Sequence, residues 1–519
     1  MYDVIILGGG LAGLGLARQL NSATPELSIL ILEKQRFPRA LGVAKVGEST
    51  VEIGSHYLSR HLGLKAHLQS AQLKKFGVRL FMGAAGAEFH EQDELGTSEN
   101  FNIPTYQIDR GLLENTLAEQ LRADGVVIVD GVEIGEFDCR STLKSVQYQR
   151  DGLSTVAQSH WLVDAAGRAA LIKTQQQLQA ESEHKANAVW FRIDRRIEID
   201  SWSDSKAWRV RCRPEGHRWL STNHLVGPGY WVWIIPLSSG ITSIGIVMDD
   251  QAFTEAAITD VGSAMTWLNQ HQPRCARAVD GATFLDFAVL RDYAYDCKQV
   301  FSSERWAITG EAGVFADPLY SPGSDFIAIG NQLISTLILS ERRGEDIRFS
   351  ALLFEKLFKS VYSNTLSVYV DQYGGFGDRR MMGLKLLWDY SYYWGILCVL
   401  FFRNIFTDIA QIRELNPLLE SAQSVNKAVQ AAFRLRAQKR LVLPTQAVFV
   451  DQYQIPCLRH FNMQLLDDTT PVADILKGNI AKIQGISTAV LDMLSAEPSR
   501  AISPEEESLL GRYRESILR

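Results

Sequence analysis

The run Gly8-Gly9-Gly10-Leu11-Ala12-Gly13 constrains this chain more than any other feature. Before it, residues 2–7 form a short apolar stretch of the kind seen in strands buried on both faces. After it, apolar residues recur at helical spacing from about Leu11 to Leu20, and residues 28–32 make a second apolar strand that ends in Glu33. Strand, glycine turn, helix and strand make a βαβ unit that binds a dinucleotide. Gly8 permits the tight turn, Gly10 lets the backbone approach a pyrophosphate, and Gly13 lets helix and strand pack closely. The helix N-terminus offers free N–H groups and the positive end of its dipole to the phosphates. Glu33 stands 20 residues beyond Gly13, where a carboxylate accepts from a ribose 2′-OH. The expected cofactor contacts of this unit are Gly8, Gly10, Ala12, Gly13, Glu33 and Lys34.

Composition removes several function classes. A chain of 519 residues that is 46% hydrophobic buries a large core and divides into two or three units. Its net charge of -6, with no Lys/Arg-rich block, speaks against a nucleic-acid partner. The cysteines at 139, 212, 275, 297, 398 and 457 are scattered without a C-x-x-C pair, which argues against zinc, a disulfide framework and thiol redox chemistry. That usage fits a reducing, cytoplasmic setting. Met1-Tyr2-Asp3 leads directly into a strand, so no signal peptide is expected. The apolar run 392–402 is about half of the roughly 20 residues a spanning helix needs, and reads as a buried helix or hydrophobic lid, with peripheral membrane contact as the alternative.

Two later segments complete a bipartite site. Residues 161–168, Trp-Leu-Val-Asp-Ala-Ala-Gly-Arg, read as a strand entering a small-residue turn that lets the backbone pass close to a cofactor. Residues 306–313, Trp-Ala-Ile-Thr-Gly-Glu-Ala-Gly, read as another strand, then a turn carrying a carboxylate. After Phe315-Ala316-Asp317-Pro318-Leu319 and Ser321-Pro322-Gly323, a helix is expected from about Asp325, its N-terminus aimed at the cofactor ring. Between these segments lies Trp231-Val232-Trp233-Ile234-Ile235-Pro236, a W-x-W-x-I-P pattern too rich in tryptophan to be incidental.

Together these segments resemble the flavin-dependent halogenases, a branch of the FAD-dependent monooxygenase superfamily. The resemblance covers about residues 1–340. It rests on the glycine loop, Val46-Gly47-Glu48-Ser49-Thr50, Asp109-Arg110, the Asp164–Arg168 turn, W-x-W-x-I-P, and Gly310 through Gly323. It implies an α/β fold of the Rossmann-like, p-hydroxybenzoate-hydroxylase type with a β-sheet substrate domain and a helical C-terminal region. The core would span 1–345, with the substrate sheet interleaved at about 75–110 and 185–300, and a helical lid or interface over 346–519. It adds Arg110, Asp164, Gly310, Glu311, Pro318 and Gly323 as cofactor contacts, and Ser321, Gly323 and Ser324 as the halide site. Trp231, Trp233, Ile235, Pro236, Glu48 and Ser49 would separate flavin from substrate. The chemistry implied uses reduced FAD, O2 and chloride or bromide to make hypohalous acid, which travels to a lysine beside an electron-rich aromatic substrate. No metal is expected. The partners implied are a small aromatic substrate, free or carrier-tethered, a separate flavin reductase, and a second copy of the chain in a homodimer. Nucleic acid and an integral membrane segment are not expected.

The resemblance places the lysine two residues before a glycine, which selects Lys75 in Leu73-Lys74-Lys75-Phe76-Gly77-Val78-Arg79-Leu80-Phe81. Strand alternation through this run would put Lys75 and Gly77 on one face, with Lys74 solvated on the other. Three departures stand out. Tyr320 occupies the place where tryptophan-type halogenases carry a glutamate, so phenols or carrier-tethered aromatics fit better than free tryptophan. Pro322 supplies no N–H in the halide loop. Glu311 replaces the usual aspartate. In the C-terminal third, residues 376–380 read as a loop, the aromatic-rich stretch 384–406 as helical core or a lid, 409–443 as helix, and 497–507 as a charged, exposed end. Two other readings stay open: a flavin-dependent monooxygenase that hydroxylates an aromatic substrate, and a non-catalytic FAD-fold binding protein.

Overall fold

A computed structural model of the chain describes residues 1–42, 46–495, 510, 511 and 513; the expected charged end at 497–507 lies outside the described residues. Its first sheet is built on the βαβ opening. Tyr2–Leu7 runs parallel to Ile29–Glu33 on one side and to Leu153–Asp164 on the other. Val127–Asp130 and Trp306–Ile308 extend the parallel set. Lys144–Arg150 and Glu133–Asp138 add antiparallel strands at one edge. Val4 to Leu7 and Leu30 to Leu32 are fully buried, as strands covered on both faces must be. The covering helices include Leu11–Ala23, which packs against Arg110–Ala123 and Gly323–Arg342.

The second sheet has eight strands, ordered Phe284–Leu290, Ala186–Ile193, Thr242–Asp249, Tyr230–Pro236, Thr222–Gly227, Val78–Met82, Asp93–Gly96 and Phe449–Asp451. Its central strand shows strict alternation. Trp231, Trp233 and Ile235 belong to the large core shared with the first sheet, whereas Val232 and Ile234 belong to a separate core under the opposite face. Trp233 lies opposite Gly245, where a Cβ would come within 2.1 Å of the indole ring. A glycine there makes room for the tryptophan.

The C-terminal region is mostly helical, with Arg348–Leu366, Arg379–Tyr392, Ile409–Ala437, Pro456–Gln464 and Val472–Leu494 as its main helices. It also lends Phe449–Asp451 to the edge of the second sheet. The aromatic stretch is core: Trp388, Trp394 and Phe401 are buried, and a π-helical segment, Tyr393–Cys398, continues the preceding helix. Among the described residues no helix is long and apolar enough to cross a membrane. The architecture is the expected Rossmann-like α/β fold with a second sheet and a helical C-terminal region.

Candidate active site

The glycine loop opens a long groove along the first sheet. Gly8, Gly10, Ala12, Glu33, Lys34, Ala165 to Arg168, Arg110, Glu311 and Phe315 are among the residues that line it. Gly8 has φ +108°, and a Cβ on it would lie 2.4 Å from the carbonyl oxygen of Ala165. Gly13 faces away from the groove; its Cβ would fall 2.0 Å from the Gly8 carbonyl oxygen, so it serves helix–strand packing. The helix Leu11–Ala23 starts at Gly10 with no side-chain cap and no acidic residue in its first turn. The Leu11 N–H donates to Glu114 Oε1 at 3.1 Å, and the rest of this helix start, in a glycine-lined groove, fits a pyrophosphate. Glu33 receives the Gly9 and Gln35 N–H groups and pairs with Arg39 at 3.1 Å, which fixes its carboxylate at the groove wall. These residues fit FAD. Arg110 bonds Glu114 and the Val46 carbonyl, and lines both the groove and the chamber beyond it.

Asp164 departs from its expected role. It is fully buried and absent from the groove wall; its two carboxylate oxygens take the N–H groups of Ala166 and Ile172. Burial pushes its carboxyl up to about 6 against those hydrogen bonds. Asp164 therefore shapes the turn that Ala165 to Arg168 present to the cofactor.

The groove continues into an inner chamber lined by Glu48, Ser49, Thr222, His224, Trp231, Trp233, Ile235, Gly310, Pro318 and Ser321 to Ser324. Pro236 does not line it, because alternation turns the strand's last residue to the other face. Glu48 is held by Arg192 at 2.9 Å, and Arg192 also bonds Asp286. Burial still raises the Glu48 carboxyl above its ordinary range, with Arg192 opposing. The loop before the halide candidates is anchored by buried Asp317, which takes His184 Nε2 at 2.6 Å, the hydroxyls of Tyr293 and Tyr373, and the Leu319 N–H. Tyr320 and Ser321 are both left-handed, with φ 64° and 59°. Non-glycine residues rarely adopt that conformation, and two in succession mark stored strain that turns the chain into the helix Gly323–Arg342. The Ser321 N–H is consumed by the Pro318 carbonyl, and Pro322 has none. The Ser324 hydroxyl is buried without a partner and remains, with the first N–H groups of the helix, to face an anion.

Lys75 sits on the far side of Ser49. It is buried while Lys74 is exposed. Its Nζ donates to Ser49 Oγ and to the Thr50 carbonyl, both at 3.0 Å, and Ser49 Oγ lies 2.9 Å from Thr222 Oγ1. The alternation expected through 73–81 does not occur. The strands are Leu73–Lys74 and Val78–Met82, and Gly77, with φ +67°, breaks the run between them, so Lys75 and Phe76 are both buried. Burial pulls Lys75 down to about 8, with Glu52 and Asp325 opposing. His224, on the chamber wall, is pushed down to about 3 by burial and then by the charge of Lys75, so it stays neutral.

Glu52, Asp325 and His224 escaped sequence reasoning. Asp325 Oδ1 accepts the Gly54 N–H at 2.8 Å and Oδ2 the Tyr393 hydroxyl at 2.6 Å; burial lifts it to about 7. Gly54 permits this approach, since a Cβ there would lie 2.2 Å from Ser324 Oγ. No local pattern in the sequence announces these pairings.

A family model for tryptophan halogenase matches residues 82–349, just over half of the chain. The flavin-dependent halogenase chlA of Dictyostelium discoideum is 26% identical over 441 residues, 76% of this chain and 70% of that one. A 1H-pyrrole-2-carbonyl-peptidyl-carrier-protein chlorinase of Pseudomonas fluorescens is 25% identical over 375 residues, 67% of this chain and 78% of its own. The crystal structure of halogenase PltM in complex with phloroglucinol and FAD shares the fold, with a TM-score of 0.66 at 16% identity over 94% of this chain and 96% of that one. With a groove that fits FAD and the tryptophan-walled chamber beyond it, the chain belongs to the tryptophan halogenase family and is a flavin-dependent halogenase.

Proposed function

We propose that Lys75 delivers hypohalous acid, made in the inner chamber, to an electron-rich aromatic ring held in the cavity on its other side. Bound reduced FAD supplies the two electrons that, with O2 and halide, yield that oxidant. Gly8, Gly10, Ala12, Glu33, Lys34, Arg110, Gly310, Glu311 and Pro318 would hold the flavin. Ser324 Oγ, Ser321 Oγ and the Gly323 end of the helix would hold the halide. Trp231, Trp233 and Ile235 form an apolar wall that keeps substrate from the flavin and water from the oxidant. Glu48, tied to Arg192, would fix the segment that carries Ser49. The Lys75 ammonium would orient the oxidant and polarise it toward the ring.

The carrying observation is the placement of Lys75: buried, bonded to chamber-lining Ser49, and opening on a second cavity lined by Phe101, Ile103, Tyr390 and Trp394. The aromatic and apolar part of that lining suits a flat ring. Phenolic or carrier-tethered aromatics are the favoured class; one relative is named for a pyrrole on a carrier protein and one related structure holds phloroglucinol. A separate reductase would supply reduced FAD, since the sequence has one glycine-rich dinucleotide loop. Six free, buried cysteines support a reducing, cytoplasmic setting.

The direct test incubates the protein with a flavin reductase, NADH, FAD and bromide over a panel of phenols and carrier-bound aromatics. A bromine isotope doublet in a product mass spectrum is the expected result; an oxygenated product made without halide would replace this reading with hydroxylation. The pH dependence has a defined sign. An exposed lysine keeps its proton to about pH 10, but Lys75 loses it near 8, so ring halogenation is expected to fall as pH rises through about 8 while hypohalite formation does not. A halogenation yield flat to pH 10 would remove the ammonium from the mechanism.

A further inference from the structure

Three buried ionisable side chains meet beside the substrate cavity: Glu52, Lys75 and Asp325, each acting on the others' charge. Two of them are already served. Asp325 takes a hydroxyl and an N–H, one on each oxygen. Lys75 spends two of its three N–H bonds on Ser49 and Thr50. Glu52 is different. It is 5% exposed, it begins the short helix Glu52–His56, and it lines the same cavity as Lys75. Its Oε2 is buried with no hydrogen-bond partner. The Trp394 indole N–H faces the carboxyl closely enough to favour its charged form, but without the geometry of a full hydrogen bond.

Leaving a buried carboxylate oxygen unserved is costly, and such exceptions cluster where a ligand or a reaction uses the group. Burial lifts the Glu52 carboxyl above its ordinary range, with Trp394 and Lys75 opposing. That direction suits a group that accepts a proton and releases it near neutral pH.

We propose that Glu52 is the base that removes the ring proton during halogenation and passes it to Lys75. The inference rests on the halogenase reading above and assigns a residue to its last step. The steps balance. The ring carbon bonds to the halogen of hypohalous acid as the oxygen–halogen bond breaks. The departing hydroxide takes a proton from the Lys75 ammonium and becomes water. Glu52 Oε2 then takes the proton from the halogenated carbon, and the C–H electron pair restores the aromatic ring. Glu52 finally hands that proton to the neutral Lys75 amine. The halogen is reduced by two electrons, the ring is oxidised by two, and both side chains return to their starting states. Trp394 Nε1–H is left to face the π-electrons or a polar substituent of the ring.

The test uses the full-length enzyme with a substrate that the wild type brominates, in ring-protonated and ring-deuterated forms. In wild type, loss of the ring proton is expected to be fast, so that deuterium has no effect. In Glu52→Gln, turnover is expected to fall by about 10²-fold and a primary deuterium effect is expected to appear. A merely structural role slows turnover without that isotope signature, so a slow Glu52→Gln enzyme lacking it overturns the proposal, as does an enzyme of unchanged rate. Glu52→Asp should restore part of the rate. If Glu52→Gln loses its flavin or its fold, Glu52→Ala with added acetate decides: a rate rising with acetate supports a missing base, and a flat response overturns it. A wild type that halogenates nothing fails the halogenase reading itself, which separates the two failures.

Discussion

Replacing Lys75 by alanine is expected to abolish ring halogenation while halide-dependent oxidant continues to form. The change deletes a donor that sits between two compartments. On one side, Ser49 and Thr222 close the chamber wall; on the other lies the cavity with Glu52, Tyr390 and Trp394. Nothing else described in that cavity is both cationic and buried, since Lys74 is exposed. Loss of one preorganised donor at a reacting oxygen typically costs about 10²–10³ in rate, and here the same group would also supply a proton. The flavin groove is built from other residues, so oxidant should still be made and leak away. Product yield by mass spectrometry, set against trapping of free hypohalite by a small scavenger, reads both quantities. Lys74→Ala, at the adjacent but solvated residue, should keep its product yield. Full halogenation by Lys75→Ala would sink the delivery role, and loss of oxidant in that variant would move Lys75 into the flavin chemistry.

Much of this site was legible because its signals are local. A glycine loop between a strand and a helix is compact in sequence, and its geometry is dictated by the residues themselves. The tryptophan pair was legible for the same reason, with one face of one strand carrying both rings. Lys75 was chosen correctly over Lys74 as the buried lysine, but not through the alternation invoked for it. Gly77 adopts a left-handed conformation and stops the strand, and burial of Lys75 follows from the Thr105 and Leu220 carbonyls that hold residues 75 and 76. Asp164 was given to the cofactor because a carboxylate precedes a small-residue turn; side-chain to backbone hydrogen bonding claimed it instead.

Glu52 was out of reach for a deeper reason. In sequence it is one acid after Ser-Thr-Val, with no period or spacing to mark it. What sets it apart is burial, beside a cavity whose lining also includes Tyr390 and Trp394, more than 300 residues later. The C-terminal region also sends Tyr393 to Asp325 and Tyr373 to Asp317, so the part of the chain that matched no motif helps hold both buried carboxylates. Tyr320 had suggested a site without a carboxylate. The cavity has one, brought in from the other end of the fold.

The glycine loop offers the second large effect, and two variants separate its causes. Gly8 has φ +108°, a region that costs an L-residue about 1–2 kcal/mol. An added Cβ would also lie 2.4 Å from the Ala165 oxygen and 2.7 Å from its carbonyl carbon. Those are backbone atoms, pinned by the hydrogen bond from Ala165 N–H to the Leu7 carbonyl, and cannot swing away. Overpacking of that kind adds about 1–3 kcal/mol, so Gly8→Ala should lower the stability of the apoprotein and empty the groove together. Gly10 has φ -82° and ψ -174°, extended backbone that any residue adopts. Gly10→Val therefore leaves the fold's own dihedrals alone and adds bulk at a residue that lines the groove where the pyrophosphate would lie. The expected result is an apoprotein that melts near the wild-type temperature yet retains no flavin absorbance after reconstitution. A Gly10→Val protein that keeps its full complement of FAD would mean that the phosphates do not cross the loop at this point, and the cofactor path drawn along the groove would have to be moved.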